Sequence, residues 1–263
     1  MTEDFVAEGA LVARDLDGEV AVLTMQSAPH NLLGERLVSE LFAALDWART
    51  AGARAVVLRS GLRHFCAGAD MEAFATAERG EATELPLLEL LQAFDSLPVP
   101  VVASVHGVCV GGGLELALAS DLVIAAESAK LGSVEVTIGL APLMGAVQRV
   151  TQRAGAARAK EMAMLGRRFD ARTLERWNVI NRVVPDAELA AATMTLAQEL
   201  ANGPAVALAS IKELVSIAAS EGVTAADQKM KAVQAGIWRS QDLVAGIASL
   251  TTNGPGYARF QGR

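Results

Sequence analysis

A mixed α/β core followed by an α-helical C-terminal region is the fold class this chain predicts, and three observations carry that expectation. Apolar runs of strand length alternate with stretches of helical period through the first half. No long flexible break interrupts the alternation. From about residue 142 the pattern turns mostly helical and rich in alanine.

Val20-Ala21-Val22-Leu23-Thr24-Met25 reads as a strand. Leu33, Leu37, Leu41, Leu45 and Ala48 then recur at helical spacing, with Glu35, Arg36 and Glu40 on the other side. Ala55-Val56-Val57-Leu58 is a further apolar strand and leads to His64-Phe65-Cys66-Ala67-Gly68-Ala69-Asp70-Met71, which combines small residues with a turn. Val99-Pro100-Val101-Val102-Ala103-Ser104-Val105 reads as a buried strand and Leu114-Glu115-Leu116-Ala117-Leu118-Ala119 as a nearly all-apolar helix. In the later part, Asp170 suits a helix N-cap and Asn178 a left-handed helix stop. Asn202-Gly203-Pro204 separates two helices, with Pro204 in the first turn of the second. Residues 186–252 read as several packed helices whose alanines permit close approach, placed to cover the core or mediate association.

At 263 residues with 52% hydrophobic residues, the chain has material for a generous core. A net charge of −7 argues against a general nucleic-acid binder, which needs a basic stripe to neutralise phosphates. The segment Met1-Thr2-Glu3-Asp4-Phe5 has neither a basic nor an apolar targeting region, so a cytoplasmic location is the expectation. The uncharged run 97–114 is broken by prolines, glycines, a serine and a histidine, which argues against a membrane span. Gly107-Val108-Cys109-Val110-Gly111 has the wrong spacing for a dinucleotide fingerprint, and no G-K-(S/T) occurs. Cys66 and Cys109 lack metal-ligand spacing and read as small apolar packing residues rather than nucleophiles. No metal or redox cofactor is expected.

Gly111-Gly112-Gly113 stands where a strand hands over to a helix. Without side chains, these residues leave their N–H groups open to a carbonyl oxygen. Glu115 in its apolar helix should have a raised pKa, which suits a group that exchanges protons near neutrality. Glu135, twenty residues on, offers a second carboxyl. The alternative is structural: the glycines serve only close helix packing and Glu115 pairs with an arginine.

Together, Phe65-Cys66-Ala67-Gly68-Ala69-Asp70 and Gly111-Gly112-Gly113-Leu114-Glu115 resemble the two signature loops of the crotonase, or enoyl-CoA hydratase/isomerase, superfamily. The likeness continues through Asp121, Leu122-Val123-Ile124-Ala125 and Leu131-Gly132, then Glu135, Gly139, Leu140, Pro142, Gln148 and Arg149, and covers nearly the whole chain. It implies a spiral of ββα units over residues 1–200 and a C-terminal helical region, 201–263, that acts as lid and oligomer contact. It also implies an acyl-CoA substrate and a homotrimer or dimer of trimers. The oxyanion-hole donors would be the N–H groups of Ala69 and Gly112, the catalytic acids Glu115 and Glu135. Arg63, Ala67, Gly68, Asp70, Gly111, Pro142 and Leu143 would contact substrate, with coenzyme A entering only as part of it.

Because both glutamates are kept, the resemblance favours hydration of a 2-enoyl thioester over 3,2-enoyl isomerisation or thioester hydrolysis by a single acid. A non-catalytic acyl-CoA-binding protein is the third reading. Five residues depart from the pattern: Leu131 replaces an aromatic, Val134 replaces a proline, Leu143 and Met144 replace small residues, and Glu72 stands where a cation is common. Leu85, Leu87, Leu88, Leu143 and Met144 are candidates to line the acyl pocket; Arg63, Arg259 and Arg263 are candidate phosphate contacts. Asp70 would cap a helix starting near Met71.

Overall fold

The computed structural model describes residues 9–70 and 85–263. The chain opens with β1 (Val12–Asp17) and β2 (Val20–Met25), an antiparallel pair, followed by helix α1 (Glu35–Thr50). The apolar stripe behaves as its spacing predicts: Leu37, Leu41, Leu45 and Ala48 are buried, joined by Val38 and Ala44. Glu40 departs from expectation. It turns back and accepts hydrogen bonds from the N–H groups of Leu11 and Val12 at 2.6 and 3.0 Å, satisfying backbone donors at the sheet edge.

Next come β3 (Ala55–Ser60), α2 (Leu87–Ser96), β4 (Val101–Val105), β5 (Val108–Val110) and α3 (Gly112–Ala119). β6 (Leu122–Ala126) and β7 (Lys130–Gly132) lead into a 3-10 turn, Glu135–Ile138. The strands fall into two sheets. β1-β2-β3-β4-β6-β9 form the larger, parallel from β2 onward, and β5-β7-β8 the smaller; β8 is Phe169–Asp170 and β9 Arg182–Val184. Consecutive strands thus alternate between sheets: β4 lies in the larger and β5 in the smaller, and β6 and β7 repeat the step. An isolated bridge between Cys66 and Cys109 brings the segment after β3 alongside β5, adding an earlier turn to the same spiral. Every residue of β4 is buried, as a parallel strand covered on both faces requires.

The corner from β4 into β5 runs through Gly107, whose φ is +60°. A Cβ there would lie 2.4 Å from the carbonyl oxygen of Arg63, so no other residue fits without moving the backbone.

Helices α4 (Ala146–Ala154), α5 (Ala156–Leu165) and α6 (Ala171–Arg176) follow, and Asp170 caps the last by accepting from the Thr173 N–H at 2.8 Å. Asn178 has φ +61°, as its place after that helix predicts. Helix α7 (Leu189–Ala201) lays Leu189, Thr193, Ala197 and Ala201 on the larger sheet. Residues 202–204 then break the chain before α8 (Ala205–Glu221), α9 (Val223–Val233) and α10 (Gln241–Asn253). Lys212 of α8 reaches the core, donating to Asp121 at 2.9 Å while Asp121 accepts from the Val101 N–H at 2.7 Å. The tail is held by Asp242, which accepts from the N–H groups of Gln261 and Gly262, and by Arg54, which donates to the Phe260 and Gly203 carbonyls. Among the described residues no single helix is long and apolar enough to cross a membrane.

Candidate active site

The two loops singled out in the sequence run side by side. Cys66 N–H donates to Val108 O, and Val110 N–H to Cys66 O at 3.1 Å, so the segment ending at Ala69 is laced to the one beginning Gly111-Gly112-Gly113. The glycines have separate tasks. Gly113 is packed so tightly that a Cβ would lie 2.3 Å from Cys66 O. Gly111, with φ +56°, turns the chain and spends its own N–H on Gly132 O at 3.0 Å. Gly112 begins α3, where the first helical N–H groups have no intrahelical acceptor. The structural reading of the glycines therefore holds for Gly113, while Gly112 presents an open donor.

Ala69 supplies a second donor beside it: a Cβ placed on Gly112 would lie 3.7 Å from the Ala69 nitrogen. The flanking N–H groups are used up, since Ala67 N–H donates to His30 O and Asp70 N–H to Leu33 O, while Gly68 O accepts from Leu33 N–H. Neither the Ala69 nor the Gly112 N–H meets an acceptor among the described residues. Leu33 and Met144 wall this pair, with Leu33 Cδ1 2.9 Å and Met144 Sδ 3.7 Å from that same Cβ position.

Glu115 is 2% exposed and forms no ion pair with an arginine among the described residues. Its Oε1 instead accepts from the N–H groups of Met144 and Ala146 at 2.7 and 3.1 Å, leaving Oε2 without a hydrogen bond among the described residues. Burial raises its pKa to about 7; the two N–H bonds act against that rise, and the nearby Glu135 carboxylate adds to it. Glu135, on the 3-10 turn, has the same division of labour. Its Oε2 accepts from Ser133 Oγ at 2.7 Å, while its Oε1 is buried next to Gly111 with no hydrogen bond among the described residues. Each carboxyl thus has one oxygen pinned and one open.

Sequence reasoning missed Ser133 and the Met144 and Ala146 donors. A lone serine two residues before a glutamate has no distinguishing pattern, and a backbone N–H has no signature at all. Nor did it show what the histidines hold. All three in the chain tie the Ala69 loop in place: His30 O accepts from Ala67 N–H, His106 O from Phe65 N–H, and His64 Nδ1 from Val108 N–H at 3.2 Å. None serves a cysteine. Cys66 Sγ donates to Asn31 O and Cys109 Sγ to Gly113 O; burial pushes Cys66 up to about 12 and Cys109 well above its usual value.

The remaining candidates are placed as follows. Leu143 is 56% exposed and Pro142 half-buried, so of the two bulky departures it is Met144, buried, that reaches the Gly112 and Ala69 N–H groups. Leu88 is 62% exposed, whereas Leu85 and Leu87 are half-buried. Arg63 and Arg259 are exposed and form no ion pair among the described residues; Arg263 bonds Gln261. Asp70 lies against Gly34, and the helix it was expected to cap lies outside the described residues, as does Glu72.

Residues 15–249 match the family model described as enoyl-CoA hydratase/isomerase. The chain is 35% identical over 205 residues to a probable enoyl-CoA hydratase of Bacillus subtilis, covering 76% of this chain and 80% of that protein. It is 40% identical over 162 residues to the carnitinyl-CoA dehydratase of Salmonella typhimurium, covering 61% and 62%. Among solved structures, enoyl-CoA hydratases of Bacillus anthracis and Polaromonas sp. superimpose with TM-scores of 0.88 and 0.84 at 28% identity each. They cover 96% and 93% of this chain, and 100% and 98% of theirs.

Proposed function

Since the chain belongs to the enoyl-CoA hydratase/isomerase family and has its fold, we propose that it adds water to a 2-enoyl-CoA thioester. The observation that carries this reading is the pair of half-pinned carboxyls beside two unpaired N–H groups. A thioester oxygen held between the Ala69 and Gly112 N–H groups would be stabilised as charge develops on it, each donor contributing roughly 3 kcal/mol. Glu115 Oε2 then takes a proton from water as its oxygen bonds to Cβ, and Glu135 Oε1 delivers a proton to Cα. The negative charge that builds on the thioester oxygen collapses as Cα is protonated. Water is consumed whole, and the two carboxyls exchange roles until a proton passes back from Glu115 to Glu135. Both protons move on one face of the substrate, which makes the addition syn.

Pinning matters because proton transfer needs the open oxygen of each acid within hydrogen-bond reach of its target. The chemistry requires no metal or redox cofactor. Leu33 and Met144, standing over the oxyanion donors, would limit bulk near Cα. Apolar side chains exposed on α8 and α10, among them Ile211, Val215, Val244 and Ile247, support a homotrimer or dimer of trimers as the working form.

The test is loss of enoyl-thioester absorbance on mixing the protein with crotonyl-CoA and longer 2-enoyl-CoAs. Rapid loss that either Glu115→Gln or Glu135→Gln abolishes is expected. A protein that binds these esters without turnover would overturn the assignment. One that isomerises 3-enoyl-CoA with only one glutamate intact would replace it by the single-acid reaction.

A further inference from the structure

A cavity of about 430 Å³ lies outside the site just described, between α7 and the larger sheet. It is formed at the carboxyl ends of consecutive parallel strands: Thr24 of β2, Arg59 and Ser60 of β3, His106 just after β4, Ala126 of β6 and Asp186 just after β9. That edge is where open parallel sheets commonly take ligands. Side chains two apart along a strand share a face, so Val57 with Arg59 and Ser104 with His106 each give one inner and one outer residue. Helix α7 closes the other side with Leu189, Ala190, Thr193 and Met194.

The interior is mostly apolar; the Ser60 hydroxyl is taken by His64 O and the Leu62 N–H, which leaves one polar feature. Ser104 and Thr193, 5% and 1% exposed, face each other, with Thr193 Oγ1 donating to Ser104 Oγ at 3.2 Å. The Ser104 hydroxyl proton meets no acceptor among the described residues, in a strand otherwise built of Val and Ala. A hydroxyl left unsatisfied in such an interface costs free energy, which a polar ligand group would recover.

At the outer end the charges are unequal in what they have left to offer. Asp186 is already occupied by the Ser128 N–H and hydroxyl. Arg59 donates its Nε to Thr24 Oγ1 at 2.9 Å, and its other N–H groups meet no acceptor among the described residues. His106 Nε2 lies 2.7 Å from Leu62 O, so that nitrogen carries the proton and Nδ1 remains an acceptor. The open groups are therefore an anion-binding guanidinium outside and a hydroxyl inside, separated by apolar surface.

We propose that this cavity is a second binding site, distinct from the carboxyl pair, for a short hydroxycarboxylate. The carboxylate pairs with Arg59, the carbon chain covers Val57, Ala126, Leu189 and Met194, and the hydroxyl completes the Ser104–Thr193 pair. The cavity volume falls in the range of small-molecule sites. This assignment does not depend on the reaction proposed above.

Calorimetric titration of the full-length protein with hexanoate and its 2-, 3- and 6-hydroxy derivatives tests it. One hydroxyhexanoate is expected to bind one site per chain about tenfold more tightly than hexanoate. Saturating coenzyme A should leave that binding unchanged. Arg59→Ala, and Ala190→Trp at an exposed helix position, should each weaken it about tenfold or more; Ser104→Ala should erase the preference for the hydroxylated acid. Thermal melting of each variant checks that the fold survives. Failure of every acid to bind below about 1 mM, competition by coenzyme A, or indifference to Ala190→Trp would each overturn the proposal.

Discussion

The segments that carry Glu115 and Glu135 solve one problem by opposite means. Glu115 stands on a helix in which every residue is buried, and its carboxyl is fixed by backbone N–H groups from the start of α4. Glu135 stands on a 3-10 turn with Val136 and Ile138 exposed, and its carboxyl is fixed by a side chain two residues away. One acid is oriented by the fold as a whole, the other by a single local contact. Substitutions near Glu115 should therefore cost more stability, and substitutions near Glu135 should fall mainly on activity.

The largest effect expected is on turnover. Glu115→Gln and Glu135→Gln should each reduce kcat about a thousandfold with little change in KM, in steady-state assays with crotonyl-CoA. If one variant keeps most of its activity, the symmetry of the two half-pinned acids is broken and a single-acid reaction remains. Next is Gly113→Ala. Its Cβ would overlap Cys66 O, so chemical denaturation should show a loss of about 3 kcal/mol.

Titration of Glu115 distinguishes the segments further. Its folded pKa, about 7, lies above the ordinary carboxyl value of 4.5, so the native state binds more protons than the unfolded state between those limits. Stability should fall as pH rises from 4.5 to 7 and level off above, by no more than about 3 kcal/mol, and Glu115→Gln should remove that slope. In the same range kcat/KM of the wild type should rise with pH, because the Glu115 base must be ionised. The smallest effect is Ser133→Ala. Loss of its hydrogen bond should lower kcat about tenfold and, by leaving a buried carboxyl unsatisfied, cost about 1 kcal/mol of stability. Ser133→Thr should restore much of the rate, since the hydroxyl is what holds Oε2.

Much of this was legible in the sequence. Strands and helices of the first half show their periods plainly, and the triple glycine, the Ala69 loop and both glutamates lie in contiguous motifs. What was not legible lies between segments. Strands of three to six residues bear no mark of which sheet they join, so the alternation of β4, β5, β6 and β7 between two sheets appears only in three dimensions. β8 is two residues long and gives no periodic signal. Glu40 looked like a solvent-facing charge because its helical position said so; the unpaired donors of Leu11 and Val12 claimed it. Leu143 and Met144 look alike as bulky departures, yet only Met144 turns inward, with its N–H on Glu115 and its sulfur beside Gly112.

The bridge between Cys66 and Cys109 gives the protein a chemical clock. These are the chain's two cysteines, and both thiols are buried in the seam that joins the Ala69 and Gly112 segments. With Cys66 at about 12, only about one molecule in a hundred thousand holds its thiolate at neutral pH. An alkylating reagent must wait for the seam to part, so its rate counts the openings that separate the Ala69 and Gly112 N–H groups, and a bound acyl-CoA that spans the seam would slow the count.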